Sequence, residues 1–427
     1  VKRIPGSTKL TVLSAWGSRL ASAGVTIFSL RLLSQALGPG DYAFYVVIVG
    51  LTGWLALSDL GIGYAVQNAA AERLAHGQPA RGVIQSAYLL LVLLTAILLA
   101  ATFAFRHALA GFLLAQMPSL RTGNYALTFW LSCSTLVLLA MTSVAGKILY
   151  ATGKGHLANI GTAAGAALGL VVLQLGIGSS SAKVAFAMVA MYGPTILIYG
   201  VFAVRQFGSW SPASLHVWRQ EASAILASAK GFLAFNVVAA AVLQIDYIIL
   251  SQKASKEEII QYYTISKLFG ILSFFNQAIL LANWSNFTRQ FALGELAHAE
   301  RLVRRIMAAS AVATVAFTLL LLASKDHLGP LLAPGSGVSF RYSVIGGFAA
   351  LALARCITDP CATFLQSIGR VRPLILFAVA QAVIGGGLQW LLAGSLGAEG
   401  VLIALTLSFL STVVWGLPMT ARRLLSR

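Results

Sequence analysis

Charge is scarce in this chain, and acidic charge scarcest of all. Only 10% of its 427 residues are Asp, Glu, Lys or Arg, where a soluble domain carries about 25%. Twelve of these are acidic and 30 basic. No soluble core could bury a chain that is 58% hydrophobic with a mean hydropathy of +0.83, so lipid is its solvent. Cysteine is nearly absent. Cys133, Cys356 and Cys361 lie in apolar runs and form no C-x-x-C pair, which argues against a disulfide framework or a zinc site. A cleavable signal pattern is missing too, because the first apolar run is too long and no small-residue cleavage site follows it. Nothing in the sequence asks for a metal or a cofactor.

What the chain has is long apolar runs. A spanning helix needs about 20 mostly apolar residues. Twelve such runs are read, at 10–36, 42–66, 82–105, 124–150, 157–178 and 183–205, then at 230–252, 261–288, 302–323, 338–366, 373–394 and 398–420. Turn chemistry separates them, as in Gly38-Pro39-Gly40-Asp41 and Ala333-Pro334-Gly335. The expected fold is an all-α integral membrane protein with twelve transmembrane helices in two six-helix lobes. The lobes are expected at 1–206 and 230–427, joined by an interfacial linker at 207–229 that carries Trp210, Pro212, Trp218, Arg219 and Glu221.

The net charge of +18 is an orientation signal. With the N-terminus in the cytoplasm, 19 of the 30 basic residues fall on the cytoplasmic side, 7 on the other side and 4 inside spans. Lys147 and Lys154 are counted among the cytoplasmic ones. That distribution, with both termini cytoplasmic, argues against nucleic acid as a partner.

The chain also repeats itself. Residues 31–81 align without a gap on 248–298 at an offset of 217, and 13 of the 51 pairs are identical. Chance would give roughly one pair in twelve. Tyr45 recurs as Tyr262, Gly53 as Gly270, and Asp41 meets Glu258. Leu149, Gly153 and Lys154 match Leu365, Gly369 and Arg370 at offset 216. Six spans per half is an even number, so the copies share one orientation and are expected to be related by a pseudo-two-fold axis along the membrane normal.

Seven charges lie within spans: Arg19, Arg31, Lys267, Arg355, Asp59, Asp246 and Asp359. A charge at mid-span costs about 2.5–3.5 kcal/mol on insertion scales, so each needs a partner or an aqueous cavity. Arg19 and Arg31 lie about 18 Å apart along one helix and point roughly 120° away from each other. Each either snorkels to headgroups or faces a cavity. Asp246 and Lys267 sit at similar depth on neighbouring antiparallel helices and form either a structural ion pair or a cavity site. Arg355 and Asp359 stand at i and i+4, followed by Pro360. They are either a self-neutralised pair or a cation for an anionic substrate beside an ion-binding carboxylate. Asp59 either caps a helix or belongs to the site. The four cations exceed the three anions, which suits an anionic ligand. The charges with a repeat counterpart are not matched by a charge: Lys267 faces Gly50, Asp59 faces Asn276, Arg31 faces Ile248, and Arg355 and Asp359 face Leu139 and Ser143.

Leu37-Gly38-Pro39-Gly40-Asp41-Tyr42 and Asp59-Leu60-Gly61-Ile62-Gly63, with Asn68 and Ala71-Glu72 after it, resemble the first outer turn and second helix of bacterial polysaccharide flippases. Asp246-Tyr247-Ile248-Ile249-Leu250, Tyr263-Thr264-Ile265-Ser266-Lys267-Leu268-Phe269, Trp284, Gly294-Glu295 and Arg304-Arg305 resemble their seventh and eighth helices and the stretch that follows. These are the O-antigen (Wzx-type) flippases of the multidrug/oligosaccharidyl-lipid/polysaccharide superfamily. Asn283-Trp284-Ser285 departs from the family, which often has Pro after the Trp. The resemblance implies a non-enzymatic transporter of the bacterial inner membrane. It would move undecaprenyl-pyrophosphate-linked oligosaccharide from the cytoplasmic to the periplasmic leaflet by alternating access, with H+ or Na+ coupling open. Arg19, Arg31, Lys267 and Arg355 would bind pyrophosphate and sugar, and Asp59, Asp246 and Asp359 would couple ions or line the cavity. Membrane lipids, a polysaccharide polymerase and a chain-length regulator are the expected partners. A multidrug exporter of the same superfamily is one alternative, and it would be expected to show an acidic cavity. A membrane O-antigen polymerase or ligase is another. The longest external loops, 106–123 and 324–337, hold no acid/base or nucleophile constellation for it.

Overall fold

The computed structural model describes residues 5–114, 124–177, 183–208, 215–292, 295–332, 339–368, 370 and 372–425. The turn at Ala333-Pro334-Gly335, Gly294, Gly369 and the linker residues Trp210 and Pro212 lie outside them. The described residues are helical almost throughout. In the first half run α1 (Pro5–Gly50), α2 (Thr52–Leu55), a 3-10 turn (Ala56–Asp59), α3 (Ile62–Ala75), α4 (Arg81–Ala104), α5 (Arg106–Leu113), α6 (Tyr125–Ala151), α7 (Gly155–Gly176) and α8 (Lys183–Phe207). Then follow α9 (Leu215–Leu243), α10 (Ile245–Lys253), α11 (Lys256–Ala292), α12 (Leu296–Leu332), α13 (Tyr342–Ser367), α14 (Arg372–Ser411) and α15 (Val413–Leu425). The chain divides into two compact units, Val1–Val237 and Val238–Arg427. The division falls within α9, which joins the second half of the expected linker to the expected seventh span.

Among the described residues, 8 helical runs are long and apolar enough to cross a membrane. Three of them are longer than one crossing needs: Leu296–Leu332, with 37 residues, is continuous, and the other two are interrupted. Ser14–Gly50 has 37 residues and Arg372–Leu425 has 54, against the ~20 that one crossing takes. Each is broken by a glycine. Gly38 has φ 71 and ψ 169, and Gly397 has φ 56 and ψ −133. Only glycine takes such angles without a Cβ clash. Pro39 then opens the next helix, where its missing N–H costs nothing. The expected spans at 230–252 and 261–288 fall outside the eight. The first is interrupted at Gln244 (φ −135), and α11 carries Gln261, Thr264, Ser266, Lys267, Ser273, Asn276 and Gln277.

Each unit has its own apolar core. The first is built on Val66, Val83, Val144 and Ile148 from α3, α4 and α6. The second is built on Phe287, Val303, Phe364 and Leu417 from α11, α12, α13 and α15. Residues aligned by the sequence repeat take different partners in the two units. Asp41 acts electrostatically on Lys183, at the head of α8. Its counterpart Glu258 closes a capping box with Ser255, and its carboxylate lies against Gly397, before the corresponding last helix. Tyr45 is buried and shares a hydrogen bond with Tyr192, while its counterpart Tyr262 donates to Asp246.

In lipid, helices associate by close packing rather than by hydrophobic burial, and small residues let backbones approach. Helices α7 and α8 use this device. A Cβ on Gly165 would stand 2.7 Å from Thr195 Cα, and one on Gly169 would stand 2.5 Å from the Met191 carbonyl oxygen. Neither obstacle is the movable end of a side chain. Gly169→Leu is therefore expected to separate the two helices at a cost of at least about 1–3 kcal/mol, read as a lost monodisperse peak in detergent. Gly193→Leu, whose nearest neighbour is a side-chain methyl at 3.7 Å, should keep the peak.

Candidate functional site

In the first unit the second expected span does not cross as one helix. It breaks between α1 and α3, and the break ends on two left-handed residues, Leu60 (φ 49) and Gly61 (φ 79). Leu60 is the only non-glycine residue with positive φ among those described, a conformation that costs a branched residue about 1–2 kcal/mol. Asp59 holds the break together. Its Oδ1 accepts the Gly61 N–H at 2.9 Å and its Oδ2 the Gly63 N–H at 3.2 Å, so it satisfies donors at the start of α3. The same Oδ2 lies 2.9 Å from Lys147 Nζ. Lys147 in turn sits 3.9 Å from the centre of the Tyr64 ring. A Cβ at Gly63 would be 2.6 Å from both charged atoms, so the pair rests directly on that glycine.

In the second unit the charges meet differently. Arg355 Nη2 lies 3.2 Å from Asp359 Oδ2 along α13. The Gln277 amide on α11 donates to the same oxygen at 3.3 Å. These groups border a small cleft where α11, α12 and α13 converge, with Ser273, Asn276, Ser310 and Thr314 on its wall. Asp246 is buried and accepts from the Tyr262 hydroxyl and, at 2.9 Å, from the Tyr247 N–H. It does not pair with Lys267, although the two stand at similar depth. Lys267 instead lies 4.9 Å from the centre of the Tyr263 ring, and among the described residues no carboxylate is within ion-pair distance of it. The ion-pair reading of Asp246 and Lys267 therefore gives way to two separate sites.

Arg19 is half-buried on α1 and acts electrostatically on Tyr150. Tyr150 donates to Asn159 Oδ1, and the Asn159 amide donates to Ser14 Oγ at 3.0 Å. Arg31 is exposed and makes no ion pair among the described residues. Each unit pairs charges of its own. Within the first unit the structure joins Asp59 to Lys147, and within the second it joins Arg355 to Asp359.

Sequence reasoning missed Lys147, Tyr64 and Gln277. Lys147 lies inside the expected span 124–150 yet was assigned to the cytoplasmic turn beside Lys154. Its separation from Asp59 by 88 residues hid the pairing. Gln277 is uncharged and so escaped a search for charges, but it follows Asn276, the repeat counterpart of Asp59.

The fold is that of multidrug and lipid-flippase transporters. The lipid II flippase MurJ in an inward closed conformation matches at a TM-score of 0.67 with 10% identity, over 97% of this chain and 87% of that one. An outward-facing MATE-family multidrug transporter of the MOP superfamily matches at 0.62 with 14% identity, over 99% of each chain. The class that this likeness defines is one of fold, a multi-pass helical membrane protein. No family model matches the chain, but curated relatives do. An O-antigen transporter of Salmonella typhi is 30% identical over 95% of this chain and 94% of its own length. An O-antigen export protein of Yersinia pseudotuberculosis is 28% identical over 98% of this chain and 96% of its own. The chain belongs to the family of O-antigen transporters.

The Asp59–Lys147 pair gives a direct test. Asp59→Asn leaves Lys147 without an anion and is expected to cost up to about 3 kcal/mol, seen as a lowered thermal midpoint in detergent. Adding Lys147→Met should recover about half of that loss, because the stranded cation is gone. Losses that simply add would show the two residues to be independent.

Proposed function

We propose that this transporter flips an undecaprenyl-pyrophosphate-linked oligosaccharide, the repeat unit of an O-antigen or related polysaccharide, from the cytoplasmic to the periplasmic leaflet of the inner membrane. The carrying observation is Lys267: a part-buried cation in the transporter's second unit with no carboxylate within ion-pair distance among the described residues. Such a charge is retained in a membrane for a ligand of the opposite sign, and a pyrophosphate supplies it. Arg355 joins Lys267 in holding the pyrophosphate once Asp359 releases it, and Arg19 and Arg31 meet pyrophosphate or sugar hydroxyls from α1. Asp246, buried with no cation paired to it among the described residues, and Asp359, held by one arginine and one amide, are the carboxylates that bind the driving proton or sodium ion. Asp59 is committed to Lys147 and the start of α3, and its part is to hold the broken helix. The names of the Salmonella and Yersinia relatives support the substrate class, and the flippase likeness supports the fold for it.

The topology proposed for this cycle is twelve crossings with both termini in the cytoplasm. Six of the eight long runs cross once, the two glycine-broken runs cross twice, and α9–α10 and α11 supply the remaining two. The lobes at 1–206 and 230–427 then share one orientation, with a polysaccharide polymerase and a chain-length regulator acting after the flip.

Two results follow. Lys267→Ala and Arg355→Ala should each abolish surface polysaccharide at unchanged membrane levels of the protein, while Lys267→Arg should retain most of it. Normal polysaccharide from both alanine variants would remove these cations from the substrate site. Single cysteines at positions 154 and 370 should label from the same, cytoplasmic side. Labelling from opposite sides would refute the parallel repeat.

A further inference from the structure

The first unit carries an open apolar groove that the transport cycle above does not use. Its walls are Thr142 on α6 and Ile196, Leu197, Val201 and Val204 on α8, and Arg205 stands at its end. It encloses about 500 Å³. Three local features shape it. Pro194 lies within α8 just before the groove and removes the N–H that would bond Ala190, which loosens the helix there. The Gly200 backbone forms part of the floor, and a Cβ there would meet nothing within 4 Å. The Thr142 hydroxyl turns back onto the Leu138 carbonyl at 2.7 Å, so the wall stays apolar.

The end of the groove is built for an anion. Gln206 ties the end of α8 inward, donating to the Ala145 carbonyl at 3.1 Å and accepting from the Tyr88 hydroxyl at 2.5 Å. The neighbouring Arg205 is exposed, and no carboxylate pairs with it among the described residues. A second guanidinium, that of Arg81, lies against Gly208 just past the end of the same helix. The distance from Arg205 to Ile196 is about 13 Å of helix rise, close to the roughly 15 Å depth of one leaflet's hydrocarbon.

We propose that this groove is a binding site for an anionic glycerophospholipid of the adjacent leaflet, its phosphate on Arg205 and one acyl chain laid along α8 towards Ile196. The match is in sign at one end and in length along the rest. A zwitterionic lipid fills the same groove but gains less at the arginine. A phosphate contact from one such cation is worth about fivefold in affinity.

The test uses the delipidated full-length protein, titrated with dioleoyl phosphatidylglycerol or dioleoyl phosphatidylcholine and read by native mass spectrometry. One phosphatidylglycerol should bind about five- to tenfold more tightly than phosphatidylcholine. Arg205→Gln should remove that preference, weakening phosphatidylglycerol more than phosphatidylcholine. Gly200→Phe should weaken both lipids by filling the groove, with the lipid-free thermal midpoint held. If that variant fails to fold, Leu197→Trp, at a position 71% exposed, should weaken both in its place. Equal affinity for the two lipids, a preference that survives Arg205→Gln, binding unaffected by the folded groove-filling variant, or displacement of phosphatidylglycerol by equimolar polyprenyl phosphate would each overturn the proposal.

Discussion

An ionised side chain inside hydrocarbon must find a counter-charge, a hydrogen-bond cage or water. The arrangement of this transporter follows from how each of its few intramembrane charges meets that demand. For Asp59, in the first unit, the demand is met by protein. Asp59 is held by Lys147 and by two backbone N–H groups of the broken helix, so the charge and the break stabilise each other. Neither stands alone: without the break Asp59 would lack its N–H donors, and without Lys147 the carboxylate would lie buried and unneutralised. In the second unit the demand is met only in part. Arg355 shares Asp359 with Gln277, and among the described residues Asp246 has hydroxyl and N–H donors but no cation, and Lys267 an aromatic face but no anion. The first pattern is that of a brace, the second that of groups able to change partners.

The duplication makes this contrast readable. In both units the second helix of the half meets the fourth through a polar contact. In the first unit that contact is Asp59 to Lys147, and in the second it is Gln277 to Asp359. The residues are not at aligned positions, since Asp59 faces Asn276 in the repeat and Asp359 faces Ser143. What repeats is the seam between two helices, and the chemistry across it has diverged. The repeated tyrosines behave in the same way. Tyr45 meets another tyrosine, while Tyr262 meets the carboxylate of Asp246.

Much of this is written in the sequence. Low charge and long apolar runs define a membrane protein, the Gly-Pro-Gly-Asp turn marks where α1 breaks, and the i, i+4 spacing of Arg355 and Asp359 specifies their contact. Two kinds of feature are not. Pairings between distant helices depend on rotation about each helix axis, which a single sequence with no strong amphipathic stripe does not encode. That is why the sequence counts Lys147 with the cytoplasmic charges and leaves Lys267 open between a partner of Asp246 and a cavity site. Helix breaks made by non-glycine residues are hidden too. Gly61 announces a turn, but the left-handed Leu60 beside it has no sequence signal, because leucine takes that conformation only when its surroundings impose it.

Lys267, with Arg355 beside Asp359, is proposed to hold the pyrophosphate of a lipid-linked saccharide during its passage across the bilayer. The most direct measurement is transport by the purified protein in proteoliposomes loaded with a fluorescent undecaprenyl-pyrophosphate oligosaccharide, read by the fraction of saccharide open to an external glycosidase over time. Wild-type vesicles should expose lumenal saccharide well beyond the protein-free rate, and Lys267→Gln vesicles with the same protein content should fall back to it. Equal rates from wild type and Lys267→Gln would contradict the account.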